Sequence, residues 1–365
     1  MGIIMKLLAI GTYTERTAPA VTATQELGKG IFLYPYEEIS GTIGECLFLE
    51  ETLNPSYLAF FKDRLFAVSE SDNAAILKEY SLCPDGTAPE TDSGMTGFTL
   101  RLTAKLSLPG AASCHIAVCE ERELLFLSDY GSGDFHLISI RTAGAPKLLE
   151  SRCFTGRGAR PDRQEAPHIH SCCLCGEKVF VADLGCDRIR LFAFHGDELT
   201  ELEALPARAG SGPRHMCTKN QDGRLTLYVV NELDCTISVF QQDPSGRMQE
   251  IQWLPLYRGR MQEDALAADT ALSQDGFLYV SVRGSNRIFV FQIQKNGTLS
   301  MVQERGCGGK GPRSICLDES GRHLLVANQA SGEIVVFDLT EGMLAGIAGR
   351  RAIPVPVKVT MYNRI

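Results

Sequence analysis

Two histidines one residue apart, His168 and His170, open a strand-like run. Alternate side chains of an extended chain share a face, so both imidazoles point the same way. Imidazole is the side chain that exchanges protons most readily near neutral pH. The next run, Lys178 to Leu184, should return antiparallel after a tight turn at Cys175-Gly176-Glu177, setting Asp183 and Leu184 beside the two histidines. Comparable polar residues mark the strand ends at Arg214 and His215, at Asn231 and Glu232, at Arg283 and at Asn328. A guanidinium offers a flat fork of donors to oxyanions. Gathered in one place, these residues would form a site for a small anion.

What must gather them is a repeating sheet. The unit is plainest near the end of the chain. Pro312 to Asp318, a turn at Glu319 to Arg322, Leu324 to Gln329, a turn at Ala330 to Gly332, Glu333 to Leu339 and then Met343 read as strands joined by glycine turns. The same phrase recurs upstream. Its second strands end at Ser69, Asp129, Asp183, Asn231, Val282 and Asn328, 46 to 60 residues apart. A four-stranded unit of about 50 residues is the spacing of a β-propeller. With the opening unit there are seven copies, so residues 1–365 are expected to form one all-β domain, a seven-bladed propeller of four-stranded antiparallel blades. The opening unit lacks its first strand, while Ala352 to Met361 is a surplus strand-like run, so the ring should close by pairing the N- and C-terminal strands. First strands start, and second strands end, on one face of such a disc. The starting residues include His115, His168, His170, Arg214, His215 and Arg313. The ending residues include Glu70, Asp129, Asp183, Asn231, Glu232, Arg283, Asn328 and Gln329. Polar corners also tie neighbouring blades together, which is the competing role for Asp183, Asn231 and Asn328.

A net charge of −8 argues against a nucleic-acid groove or an anionic membrane surface. No stretch is long enough to span a bilayer as a helix, and the apolar start, Met1 to Ile10, reads as a strand. Thirteen cysteines without a secretory signal suit thiols in a reducing cytoplasm. In the run His170-Ser-Cys-Cys-Leu-Cys175, alternation puts Cys172 on the histidine face and Cys173 and Cys175 on the other. With no second Cys-x-x-Cys half, no metal is expected, nor any cofactor. Two segments break the period: residues 15–29, rich in Thr and Ala, and the basic loop 154–166 with Arg157, Arg160 and Arg163. Each reads either as a lid over the site or as surface decoration.

The segments Asn54-Pro-Ser-Tyr-Leu-Ala59, Pro167-His-Ile-His170 with Arg163-Gln before it, Ala182 to Ile189, Gly210-Ser-Gly-Pro-Arg-His215 and Val230-Asn-Glu-Leu233 resemble the seven-bladed propeller lactonases, in order and over essentially the whole chain. That family includes the cycloisomerase-type 6-phosphogluconolactonases and the carboxymuconate lactonising enzymes. The resemblance implies a site at the channel mouth, with His168, His170, Arg214 and Glu232 acting in catalysis. Arg283 would bind substrate, with Asp183, Asn231, His215 and Asn328 beside it. It departs from the pattern at Val282-Arg-Gly284, where the family has Asn before the arginine, and at Asp269, where Glu is common. The expected activity is hydrolysis of a small anionic lactone, foremost 6-phospho-glucono-1,5-lactone, by a cytoplasmic monomer or weak homo-oligomer. The alternatives are a muconate-type lactonising enzyme and a non-enzymatic binding propeller.

Overall fold

The structure, a computed structural model, describes residues 5–85, 97–221, 223–257, 259 and 261–362. Regular structure among them is β, apart from the three-residue 3-10 turn Leu184–Cys186. The strands make seven antiparallel sheets arranged as the blades of a propeller. Blade 2 runs Pro55–Phe61, Arg64–Ser69, Ala75–Asp85 and Gly97–Leu108 from the inside outward; blade 3 runs Ser113–Cys119, Leu124–Asp129, Asp134–Ser139 and Lys147–Cys153. Blade 4 is Ile169–Cys175, Lys178–Asp183, Arg188–His195 and Glu198–Pro206, and blade 5 is Pro213–Gln221, Arg224–Asn231, Thr236–Gln242 and Met248–Pro255. Blade 6 is Leu266–Leu272, Phe277–Arg283, Arg287–Ile293 and Leu299–Gly306, and blade 7 is Pro312–Leu317, His323–Asn328, Glu333–Thr340 and Met343–Ala352.

Blade 1 closes the ring in the way the surplus C-terminal run predicts. Its innermost strand is Pro356–Tyr362, which pairs with Met5–Thr12 and leaves Gly30–Glu37 further out. Two short strands, Thr42–Ile43 and Phe48–Glu51, share its outer edge. Of the apolar run at the start of the chain, residues 1–4 lie outside the described residues.

Each blade is apolar on both faces, so its core is shared with its neighbours. Blades 2 and 3 bury Phe66, Val68, Leu125 and Leu127 together, and blades 5 and 6 bury Val230, Val239, Val280 and Phe289. Blades 7 and 1 do the same with Leu325, Val336, Leu8 and Tyr36, so the apolar seam runs through the closure. Burying one such side chain contributes about 1.5–3 kcal/mol, which explains why an opened ring would be costly.

The innermost strands share a further feature that alternation alone does not anticipate. Each carries a one-residue bulge near its start, opposite the end of the second strand. In blade 4, Ile169 pairs with Asp183 and Ser171 with Ala182, leaving His170 as the extra residue. A bulge re-aims side chains and resets the alternation. Cys172 therefore does not share the face of His170, as strict alternation predicts; it packs in the core between blades 3 and 4.

Candidate active site

Counting from the bulges places equivalent residues of different blades in rings around the axis. The bulge residues are Ser56, Cys114, His170, Arg214, Arg313 and Val357, with Ala268 in blade 6. The residues that follow the second strands form a second ring. Glu70, Tyr130, Leu184, Glu232 and Gln329 each donate a backbone N–H to the carbonyl just ahead of the first strand, as Tyr13 does in blade 1. Arg283 takes this place in blade 6, where it pairs with Leu266. Of these residues, His170, Arg214 and Arg313 from the first ring and Glu70, Tyr130, Glu232 and Arg283 from the second line the mouth of the axial channel, a cavity of ≈ 740 Å³.

One carboxylate organises half of that mouth. Glu232 Oε2 accepts from Arg214 Nε at 2.7 Å and from Arg283 Nη2 at 2.9 Å, and its Oε1 accepts from Arg163 Nη2 at 2.7 Å. Burial alone would raise the pKa of Glu232, but Arg283, Arg214 and Arg163 outweigh it and hold the group at about 2. Such a carboxylate stays ionised at neutral pH and is a poor proton acceptor. Glu232, expected to act in catalysis, is placed as the common partner of three guanidinium groups. Three cations on one anion leave two positive charges over, and burial with the neighbouring arginines lowers Arg283 to about 10 despite Glu232. Arg283 Nε is buried with no hydrogen-bond partner among the described residues.

The histidine pair sits on the same side. His168 Nδ1 donates to the Tyr130 carbonyl at 2.7 Å, and its ring stacks on Tyr130 with centroids 4.4 Å apart. A carbonyl can only accept, so Nδ1 carries the proton and Nε2, 3.3 Å from the Glu165 carboxylate, holds the lone pair in the neutral ring. His170 differs. Its Nδ1 is buried without a partner among the described residues, its Nε2 lies 3.9 Å from Glu232, beyond hydrogen-bond range, and burial, then Arg214, His215 and Arg313, drives its pKa well below 6.5.

Across the axis a second carboxylate, Glu70, accepts from the Tyr13 hydroxyl at 2.5 Å and from Arg313 Nη2 at 3.4 Å. Both insertions reach the cavity, which Glu15 and Thr17 to Ala20 line from residues 15–29, and Arg163 and Glu165 from residues 154–166. Gln329 Nε2 pins the first by donating to the Pro19 carbonyl at 2.7 Å. The lid reading of both segments fits this placement better than surface decoration.

Four residues expected to bind substrate lie elsewhere. Asp183, Asn231 and Asn328 each stand one residue ahead of the mouth ring; the first two turn into their own blades and Asn328 into the connection from blade 6. Asp183 accepts from the Cys186 and His168 amides and pairs with Arg190; Asn231 donates to Thr236 and Ser238; Asn328 donates to the Cys307 carbonyl. They are corner ties. His215 lies a layer deeper, with Nδ1 donating to Asp269 at 2.6 Å, and both line a water-sized chamber of ≈ 20 Å³ below the mouth. Tyr130 was missed, while Glu70, named only among the strand ends, and Arg163, named only in the basic loop and the family-like segment, were not given a role at the site. Aligning the repeats on the residue after each second strand would have found Tyr130 and Glu70, because Glu232 and Arg283 occupy that place. No group of His, Cys, Asp and Glu among the described residues is arranged to hold a metal ion.

Seven blades and a closed ring with an arginine-lined mouth define the chain as a seven-bladed propeller. Residues 7–361 match the family model for the seven-bladed β-propeller lactonases, and the chain belongs to that family. It is 30% identical to the 6-phosphogluconolactonase of Formosa agariphila, over 92% of this chain and 93% of that one. With the 6-phosphogluconolactonase of Bacillus subtilis it shares 25% identity over 98% of each chain. Among solved structures, the periplasmic gluconolactonase of Pseudomonas aeruginosa superposes with a TM-score of 0.83 at 25% identity, covering 98% of this chain and 99% of that one. Family and relatives alike point to a hydrolase of lactone esters.

Proposed function

We propose that this protein hydrolyses 6-phospho-glucono-1,5-lactone to 6-phosphogluconate. The observation that carries the reading is the convergence of Arg163, Arg214 and Arg283 on the single buried carboxylate of Glu232. The surplus charge suits a phosphate and the oxyanion that forms when water attacks the lactone carbonyl. His168 is the base in this reading. Its Nδ1 is held by the Tyr130 carbonyl, Nε2 takes the proton of the attacking water, and Glu165 stabilises the imidazolium. Collapse of the tetrahedral intermediate breaks the bond from C1 to the ring oxygen, and the same proton passes to that oxygen as it leaves as the C5 hydroxyl. A polar hollow of ≈ 740 Å³ favours an enzyme over a scaffold with a filled channel. The thirteen cysteines are all free thiols, which supports a cytoplasmic setting.

A stopped-flow assay on freshly generated lactone tests the proposal, because spontaneous hydrolysis hides slow enzymes. Acceleration proportional to enzyme concentration is the expected result. A rate equal to the spontaneous one refutes the assignment.

A further inference from the structure

We propose that Glu70 reads the hydroxyl groups of the substrate and so selects a sugar lactone over a lactone bearing carboxylates; the inference rests on the lactonase reading of this site. The two halves of the mouth differ in charge. On one side are Arg163, Arg214 and Arg283 around Glu232; on the other, Glu70, Glu15 and Asp72 line the cavity with Arg313 as their only arginine. An anionic group is drawn to the first half and repelled by the second.

Glu70 is built as a receptor for donors. Its backbone is fixed by its N–H on the Asn54 carbonyl at 3.1 Å and by Asn54 Nδ2 on its own carbonyl at 3.3 Å. The Tyr13 hydroxyl and Arg313 both bond Oε2, and neither uses Oε1. The side chain is 10% exposed and lines both this cavity and the small chamber below it, with Oε1 taking neither of those bonds. A carboxylate oxygen at the wall of a cavity accepts hydroxyl donors and rejects another carboxylate.

The chemistry of a 6-phosphorylated 1,5-lactone matches this division. The ring oxygen joins C1 to C5, so the reactive carbonyl and the carbon that carries the C6 phosphate arm flank it on one edge of the ring. The hydroxyls at C2, C3 and C4 occupy the opposite edge. With carbonyl and phosphate on the arginine half, the hydroxyl edge faces Glu70 across the axis.

Calorimetry with two ligands tests this on the full-length protein. Inorganic phosphate carries the anion alone, whereas 6-phosphogluconate adds the hydroxyls together with a C1 carboxylate, which stands where the lactone carbonyl was and so falls on the arginine half. Glu70→Gln should weaken 6-phosphogluconate about tenfold or more while leaving phosphate within about twofold. Should that variant fold poorly, Glu70→Asp, which withdraws the carboxylate by one methylene, should show the same selectivity to a smaller degree. Equal weakening of both ligands, or no change in either, overturns the role of Glu70. Turnover of the lactone by the unmodified protein is scored separately, so failure of the lactonase reading is distinguishable from failure of this one.

Discussion

At the scale of single residues, the two histidines that look interchangeable in Pro167-His-Ile-His170 are placed in different chemical situations. His168 has one nitrogen committed to the Tyr130 carbonyl and the other beside a carboxylate, whereas His170 has a buried Nδ1 with no partner among the described residues and lies under the influence of Arg214 and Arg313. His168→Gln is therefore expected to lower kcat by about 10² to 10⁴ with little change in KM. His170→Gln should cost much less. Steady-state kinetics on both variants check this, and a larger loss at His170 would transfer the role of base to it. That both histidines face the channel mouth is readable from the sequence. Which one acts is not, because the deciding contacts come from Tyr130 in the neighbouring blade and Glu165 in the loop before the strand.

At the scale of elements, the bulge and the turn after the second strand decide what faces the channel. Gly212 shows how tightly the turn is set. It has φ +64°, accepts the Glu232 N–H at 2.7 Å, donates to Asp187 at 2.9 Å, and a Cβ there would fall 2.6 Å from Leu233 Cγ. Gly212→Ala should lower the melting temperature, by an amount equivalent to about 1–3 kcal/mol, and also reduce kcat/KM by displacing Arg214 and Glu232 together. Differential scanning fluorimetry with kinetics checks both, and loss of stability with unchanged kcat/KM would separate the turn from the site. The repeats are legible because Gly turns and apolar alternation survive in every copy. The bulges are not, since one extra residue in a strand leaves no compositional mark. For that reason Asp183, Asn231 and Asn328 looked like site residues while standing one position too early. Arg163 could be placed in a basic loop but not assigned to Glu232, because a loop residue belongs to no repeat.

At the scale of the whole molecule, the axial channel packs titratable groups in a way that ties stability to pH. His115, His170 and His215 are all pulled below 6.5, chiefly by burial, and His215 reaches about 4. Between that value and 6.5 the unfolded chain binds more protons than the folded one, so stability falls as pH falls through the window. Each such histidine costs about 1.4 kcal/mol per pH unit there. Glu232, depressed from 4.5 to about 2, acts in the same direction at lower pH, its contribution being complete above 4.5 and lost as pH falls toward 2. Thermal melts should be level above about pH 7 and decline steadily from pH 6.5 to 4. A flat profile across that range would mean that these histidines are charged in the folded state. The ring itself was legible from its period and from the surplus last strand, which now lies against Met5–Thr12.

The central claim is that motifs far apart in the chain meet at this mouth to hydrolyse a lactone, and Arg214 tests it most directly. Its guanidinium is 3% exposed, yet its removal leaves Glu232 paired with Arg163 and Arg283, so the fold should survive. In stopped-flow hydrolysis of fresh 6-phospho-glucono-1,5-lactone, Arg214→Ala should lower kcat/KM by about 10² to 10³ with the propeller still folded by circular dichroism. Near-normal turnover in that folded variant would contradict the account.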